Sequence, residues 1–186
     1  VDAGKMDWGK SNCPMMYEPS AAYHGMSFSD VFGAIAFIIK CRTEGLRDMG
    51  TAMSPFNAFL FLQGIETLGM RMDRHLSNAL AAAKFLESHK QVSWVKYPSL
   101  PSSPYHALAQ KYTPKGAGAV FSFELKGDRA AGRRFVEALQ VFSHLANVGD
   151  ARSLVIHPAS TTHFRMDARA LAAAGIGEGT LRLSVG

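Results

Sequence analysis

One apolar stripe constrains this chain more than any other feature. Ile65, Leu68, Met72, Leu76, Ala79, Ala83 and Leu86 recur at three- and four-residue steps, which predicts a long amphipathic helix. Ser54 and Pro55 open it: a serine N-cap accepts orphan amide bonds, and proline at the first helical position forfeits none. Continuous from Pro55 to His89, the helix would measure about 50 Å at 1.5 Å per residue, longer than a small domain is wide. A helix of that reach bridges two domains. Gly64 and Gly69 mark where it can bend, and the expected boundary near Gly64 divides the chain into 1–63 and 64–186.

The flanking sequence differs on the two sides. Residues 1 to 27 lack periodicity, yet Trp8, Tyr17 and Tyr23, with Phe28 just after them, argue for a packed irregular stretch and not a free linker. Ser29 or Asp30 is then the expected cap of a helix to about Arg47, ended by the Asp48-Met49-Gly50 turn. After His89 the pattern becomes α/β. Val92 to Tyr97 alternates, Ala119 to Leu125 is β-rich, and Asp128 caps a helix to about Leu139. Between those first two strands a loop holds a helix at Tyr105 to Lys111. A third strand is expected at Phe142 to Val148, a short helix at Asp167 to Ala174 closed by Gly175, and a last strand at Leu181 to Val185.

Composition narrows the function classes. With 47% hydrophobic and 19% charged residues, the 186-residue chain reads as a globular polypeptide with a real core. Twenty Lys and Arg against fifteen Asp and Glu give a net +5, but the basic residues are scattered. Without a basic stripe interleaved with aromatics, no nucleic-acid partner is expected. The near-continuous apolar run Val31 to Ile39 is too short to span a bilayer, which takes about 20 residues, so no membrane partner is expected either. Two cysteines, Cys13 and Cys41, form neither a disulfide framework nor a metal knuckle and suit a reducing, cytoplasmic setting. The abrupt start at Val1-Asp2-Ala3-Gly4, strand-like and then turning, and the equally abrupt end at Gly186 read as those of a fragment.

Few residues carry chemistry. In Leu181-Arg182-Leu183-Ser184-Val185, alternation sends the leucines and Val185 to one face and Arg182 with Ser184 to the other. A guanidinium there suits a carboxylate, which it grips through two charge-assisted hydrogen bonds, although an arginine on a solvated sheet face has the same spacing. Asn147-Val148-Gly149-Asp150 reads as a strand entering a turn, where amides meet ligands or simply close an Asx turn. His157 and His163, with His144 as a third, invite a metal reading. No carboxylate pair or H-x-x-x-H spacing supports it, and no metal site is expected. Gly116-Ala117-Gly118 lacks the third glycine of a dinucleotide fingerprint and precedes a strand. The residues alone lead to an anion-binding candidate on an α/β domain.

Longer motifs carry a resemblance. Ser54 to Leu68 (SPFNAFLFLQGIETL), Met70 to His75 (MRMDRH), Asn78-Ala79, Tyr97-Pro98, Lys126-Gly127, Val148 to Leu154 (VGDARSL), His157 to His163 (HPASTTH) and Arg182 to Gly186 (RLSVG) closely resemble the pyridoxal-phosphate enzymes of Cys/Met metabolism, in order and spacing. Asp2 to Trp8 (DAGKMDW) through Ser20 to Gly25 (SAAYHG) resembles an insertion characteristic of O-acetylhomoserine sulfhydrylases within that family. Ser143 to Asn147 (SHLAN) resembles their version of that run, where the lyases carry serine at the Asn147 position.

The resemblance implies the C-terminal part of a fold-type I pyridoxal-phosphate transferase: a remnant of the cofactor domain, the bridging helix, and a small α/β domain. It implies a mechanism in which the substrate amine displaces a lysine from the cofactor aldehyde, the lysine moves protons, acetate leaves the γ carbon and sulfide adds to give homocysteine. It implies Arg182 as the substrate-carboxylate ligand with Asn147 beside it. The cofactor lysine of the family stands in a Ser-x-Thr-Lys context, and none of the nine lysines here does. Catalytic and cofactor-binding residues are therefore expected in an N-terminal remainder of the same protein, and in a neighbouring subunit of a homotetramer. The chain alone should be inactive. The alternatives are a related γ-lyase or cystathionine γ-synthase, or a catalytically empty assembly module.

Overall fold

Short helical pieces, not one continuous helix, build the first part of the chain. The structure, a computed structural model, describes residues 3–186, so the strand-like start expected at Val1 and Asp2 lies outside the described residues. The chain divides into two compact units between Leu62 and Gln63. In the first, α1 (Pro14–Tyr17), α2 (Phe28–Phe32) and α3 (Ala36–Lys40) surround a small core of Trp8, Met16, Phe28 and Ala36. Tyr23 meets Phe28 edge-on at 5.1 Å between ring centroids. Lys40 is buried with its ammonium 2.7 Å from Glu44 and 4.3 Å above the Phe28 ring, so its charge is paired and its stem packs.

The helix expected from Ser29 or Asp30 to Arg47 is broken. Ser27 is the cap, its hydroxyl accepting from the Asp30 amide, and Gly33 ends α2 in a left-handed conformation at φ +48°. A 3₁₀ turn at Gly33–Ile35 then leads into α3, which continues as a π-helical turn over Cys41–Leu46.

Helix α4 (Pro55–Glu66) starts as its sequence requires, with Ser54 Oγ accepting from the Asn57 amide at 3.1 Å. None of its residues is buried. The second long helix, α5 (Leu68–Ser88), follows after a break at Thr67. The interruption therefore falls at Thr67, between Gly64 and Gly69. Arg71 donates to the Gly64 carbonyl at 2.7 Å and so satisfies an acceptor beside the break. The apolar stripe is covered only along α5, where Ala79 and Ala83 are fully buried and Leu86 packs against the same core.

After α5 come β1 (Val92–Lys96), α6 (His106–Tyr112), β2 (Val120–Leu125), α7 (Arg129–Ala138), β3 (Ser143–His144), β4 (Leu154–Ile156), α8 (Ala168–Ala173) and β5 (Thr180–Ser184). The strands form one sheet in the order β1-β2-β5-β4-β3, with β3 and β4 parallel and the other neighbours antiparallel. Phe121 and Phe123 of β2 face Leu183 and Leu181 of β5 in register, and these four join Ala79, Ala83 and Tyr97 in the core. Among the described residues, no helix is long and apolar enough to cross a membrane.

Asp128 caps its helix as expected, and Asp167, expected as the first helical residue, is the cap just before α8. Asp128 accepts from the Ala131 amide at 2.9 Å and Asp167 from the Ala170 amide at 2.8 Å, while Gly175 follows α8 at φ +72°. Asp128→Ala is expected to lower stability by about 1 kcal/mol, and Asp128→Asn to retain most of it. Chemical denaturation of the complete protein measures both. The third strand is much shorter than Phe142 to Val148: pairing stops at His144 and Gly149 turns the chain at φ +76°. Strand β4 has no counterpart in the alternation analysis because all three of its residues are buried.

Candidate functional site

Register across the sheet creates a polar row opposite the core. Lys96 pairs with Ser122, Ser122 with Arg182, and Arg182 with Ile156, so four strands present these side chains on one face. Above them lies a cavity of about 380 Å³, also bordered by Trp94, Thr162 and His163. No aspartate or glutamate lines it. Its lining carries the cations Lys96 and Arg182, with the Glu124 carboxylate outside the lining and engaged by Thr180, so the Arg182 end of the floor favours an anion.

Arg182 is half-buried and, among the described residues, held by a single hydrogen bond. Its Nη2 donates to the backbone carbonyl of Asn147 at 3.1 Å. Its Nε is shut off from solvent and has no acceptor, and among the described residues no carboxylate pairs with it. A guanidinium whose Nε is shielded without an acceptor is under-satisfied at that edge, and a planar acid group reached from the exposed side would supply acceptors and the opposite charge. Lys96 is placed differently, its ammonium 4.3 Å over the Trp94 ring.

Asn147 and Arg182 are thus brought together, but through the Asn147 main chain. The Asn147 side chain is turned to the next residue, its Oδ1 accepting from the Val148 amide at 2.8 Å. Ser184, which shares the Arg182 face by alternation, is buried and does not border the cavity, whereas Thr180, also largely buried, borders it and donates its hydroxyl to the Glu124 carboxylate at 2.7 Å. Beyond the turn, the Asp150 carboxyl is held below the usual carboxylate range, first by the Arg152 backbone amide and then by its guanidinium.

The histidines have separate duties. His157 is completely buried; its Nε2 donates to the Glu178 carbonyl at 2.6 Å, which leaves Nδ1 to accept from Ser160 Oγ at 2.8 Å. Gly132 of α7 packs against that ring so closely that a Cβ there would collide with it. His163 pairs with its neighbour Thr162 at 2.8 Å. Among the described residues no cluster of three or more His, Cys, Asp or Glu has metal-holding geometry. Of the cavity residues, Thr162 and His163 lie in the HPASTTH run, whereas Lys96 and Ser122 were singled out by no motif. The alternation of Val92 to Tyr97 locates Lys96 on a face, but which strand lies beside it is a matter of long-range pairing.

These residues fit the acid group of an amino acid and do not by themselves fit a pyridoxal cofactor. The lining has no carboxylate to pair with a pyridine nitrogen, and no lysine of the chain stands in the Ser-x-Thr-Lys context.

Comparison with known proteins gives the setting. The family profile of the Cys/Met metabolism PLP-dependent enzymes matches residues 19–186. The chain is 48% identical over 186 residues to O-acetyl-L-homoserine sulfhydrylase 1 of Thermus thermophilus, and 49% identical over 188 residues to homocysteine synthase of Schizosaccharomyces pombe. Each alignment covers 100% of this chain and 44% of the relative, so the chain spans less than half the length of these proteins. Among solved structures, a Campylobacter jejuni chain assigned as an O-acetylhomoserine (thiol)-lyase, containing N'-pyridoxyl-lysine-5'-monophosphate, superposes with a TM-score of 0.80 at 42% identity, over 93% of this chain and 41% of its own. A Xanthomonas oryzae cystathionine γ-synthase in complex with aminoacrylate and cysteine gives 0.66 at 48% identity, over 74% and 35%. The long helix and small mixed α/β sheet domain are those of fold-type I pyridoxal-phosphate-dependent enzymes. A match running from residue 19 through the sheet and its arginine row leaves one assignment: the chain belongs to the Cys/Met metabolism family of PLP-dependent enzymes.

Proposed function

We propose that the chain is the C-terminal portion of a cytoplasmic O-acetylhomoserine sulfhydrylase, an enzyme that makes homocysteine from O-acetylhomoserine and sulfide in methionine biosynthesis. In this reading Arg182 binds the α-carboxylate of the amino-acid substrate. The observation that carries it is the under-satisfied guanidinium on the floor of an acid-free cavity. The relatives named sulfhydrylase or homocysteine synthase support the substrate pair, as does the SHLAN run leading into the turn.

The remainder of the protein would hold pyridoxal phosphate, which supplies the electron sink that makes the α and β hydrogens acidic. The task of this chain is orientation. Arg182 fixes one end of the substrate, so that the bonds to be broken lie at a set distance from groups on the rest of the protein. The apolar flank of Trp94 and Ile156 keeps water from competing for the guanidinium donors. The complete assembly is a homotetramer in this proposal, with the N-terminal remainder as the immediate partner.

The test is product formation by the complete protein from O-acetylhomoserine with sulfide, methanethiol or cysteine as acceptor. Homocysteine from sulfide, at a kcat/KM at least about tenfold above that for cysteine, is expected. Preferred cystathionine formation would make it a γ-synthase, and keto-acid release without any thiol a γ-lyase. A colourless, intact protein would make it an assembly module.

A further inference from the structure

The turn that meets Arg182 has no core to hold it. Residues 145–149 are exposed, with Val148 at 65% and Leu145 at 45%, so burial does not decide the path of this segment. Its two ends are pinned instead. Ser143 N donates to the Ser153 carbonyl at 2.9 Å, and Gly186 N donates to Ser153 Oγ at 3.0 Å. Between the pins, Asp150 Oδ1 accepts from the Arg152 amide at 2.9 Å and from the Arg152 side chain, while Gly149 reverses the chain at φ +76°. A Cβ at Gly149 would meet nothing within 4 Å, so backbone direction alone asks for glycine there. These few bonds determine where the Asn147 carbonyl points. That carbonyl is the one acceptor of the Arg182 guanidinium among the described residues.

We propose that Gly149 and Asp150 are positioning residues: through the turn they aim the Asn147 carbonyl, which sets the direction of the Arg182 fork toward a substrate carboxylate. This rests on the carboxylate-binding reading of Arg182 given above. A guanidinium has freedom about every bond of its stem, and a single fixed acceptor at one Nη leaves its other edge facing one way. Asp150 therefore acts on substrate recognition from a distance, without touching the substrate.

The experiment uses the complete, cofactor-loaded enzyme with O-acetyl-L-homoserine and its carboxamide, which differ only in the group Arg182 reads. Asp150→Ala is expected to lower the preference for the acid over the amide by about tenfold, through KM, with kcat within about twofold and cofactor absorbance unchanged. Asp150→Asn keeps an oxygen acceptor for the Arg152 amide and is expected to restore the preference to within about threefold. Gly149→Ala, which strains the same turn, should reproduce the Asp150→Ala pattern. A general loss of structure would weaken acid and amide alike. If Asp150→Ala leaves the preference intact while Arg182→Lys collapses it, the positioning role is overturned and the carboxylate reading stands. If Arg182→Lys also leaves the preference intact, both fall.

Discussion

Arg182→Lys in the complete protein is expected to raise the KM for the proposed amino-acid substrate about 10- to 100-fold and to leave cofactor loading as it was. The size follows from the geometry lost. A planar fork offers two parallel N–H donors to one carboxylate, and hydrogen bonds of that charged kind contribute about 1.5–3 kcal/mol each. Lysine keeps the positive charge but offers a point, so part of the electrostatic attraction survives and the second directed bond does not. The change also frees the Asn147 carbonyl, which the shorter donor set need not reach. Cofactor binding is the built-in control, because the cavity around Arg182 lacks the groups that would hold the ring. Titration of the visible cofactor band in parent and variant, beside steady-state kinetics, separates the two effects. Equal KM values would remove Arg182 from carboxylate recognition and leave an arginine on a sheet face.

What was legible in the sequence was local. Ser54 with Pro55, Asp128, and Asp167 with Gly175 announce helix ends through a side-chain oxygen or a permissive backbone, and each does so in the structure. The α5 stripe was equally readable, since its period needs no knowledge of the partner. Failures occur where a neighbour decides. Ser29 and Asp30 are acceptable caps by type, yet Ser27 takes the role, its hydroxyl accepting from the Asp30 amide, and Gly33 ends the helix after five residues. Strand β4 gives no alternating signal, because Leu154, Val155 and Ile156 are covered on both faces. For the site, alternation places Arg182 on a face, but a single chain segment cannot disclose that Lys96 and Ser122 lie beside it two strands and one strand away. Nor does NVGD as a string reveal that the main chain of Asn147, and not its amide, meets the guanidinium.

The largest effect concerns α4. Phe56, Phe59, Leu60, Phe61, Leu62 and Ile65 are each more than half exposed, on all sides of the helix. A helix apolar all round is ordinarily a buried one, and fully covering six such side chains is worth on the order of 10 kcal/mol at 1.5–3 kcal/mol each. That sum is comparable with the whole stability of a domain. The 186 residues produced alone are therefore expected to self-associate at micromolar concentration and to bind an apolar dye strongly. Phe56→Gln, Phe59→Gln and Leu62→Gln together should suppress both. In the complete protein the same positions should behave oppositely: Phe59→Ala is expected to cost about 3 kcal/mol, because there the ring loses a packed environment that the 186 residues do not provide. Sedimentation and dye fluorescence read the first pair of outcomes, and denaturant unfolding the second. A monomeric, dye-silent chain, with Phe59→Ala neutral in the complete protein, would mean that α4 is a solvated helix and that the proposed N-terminal remainder does not pack on it.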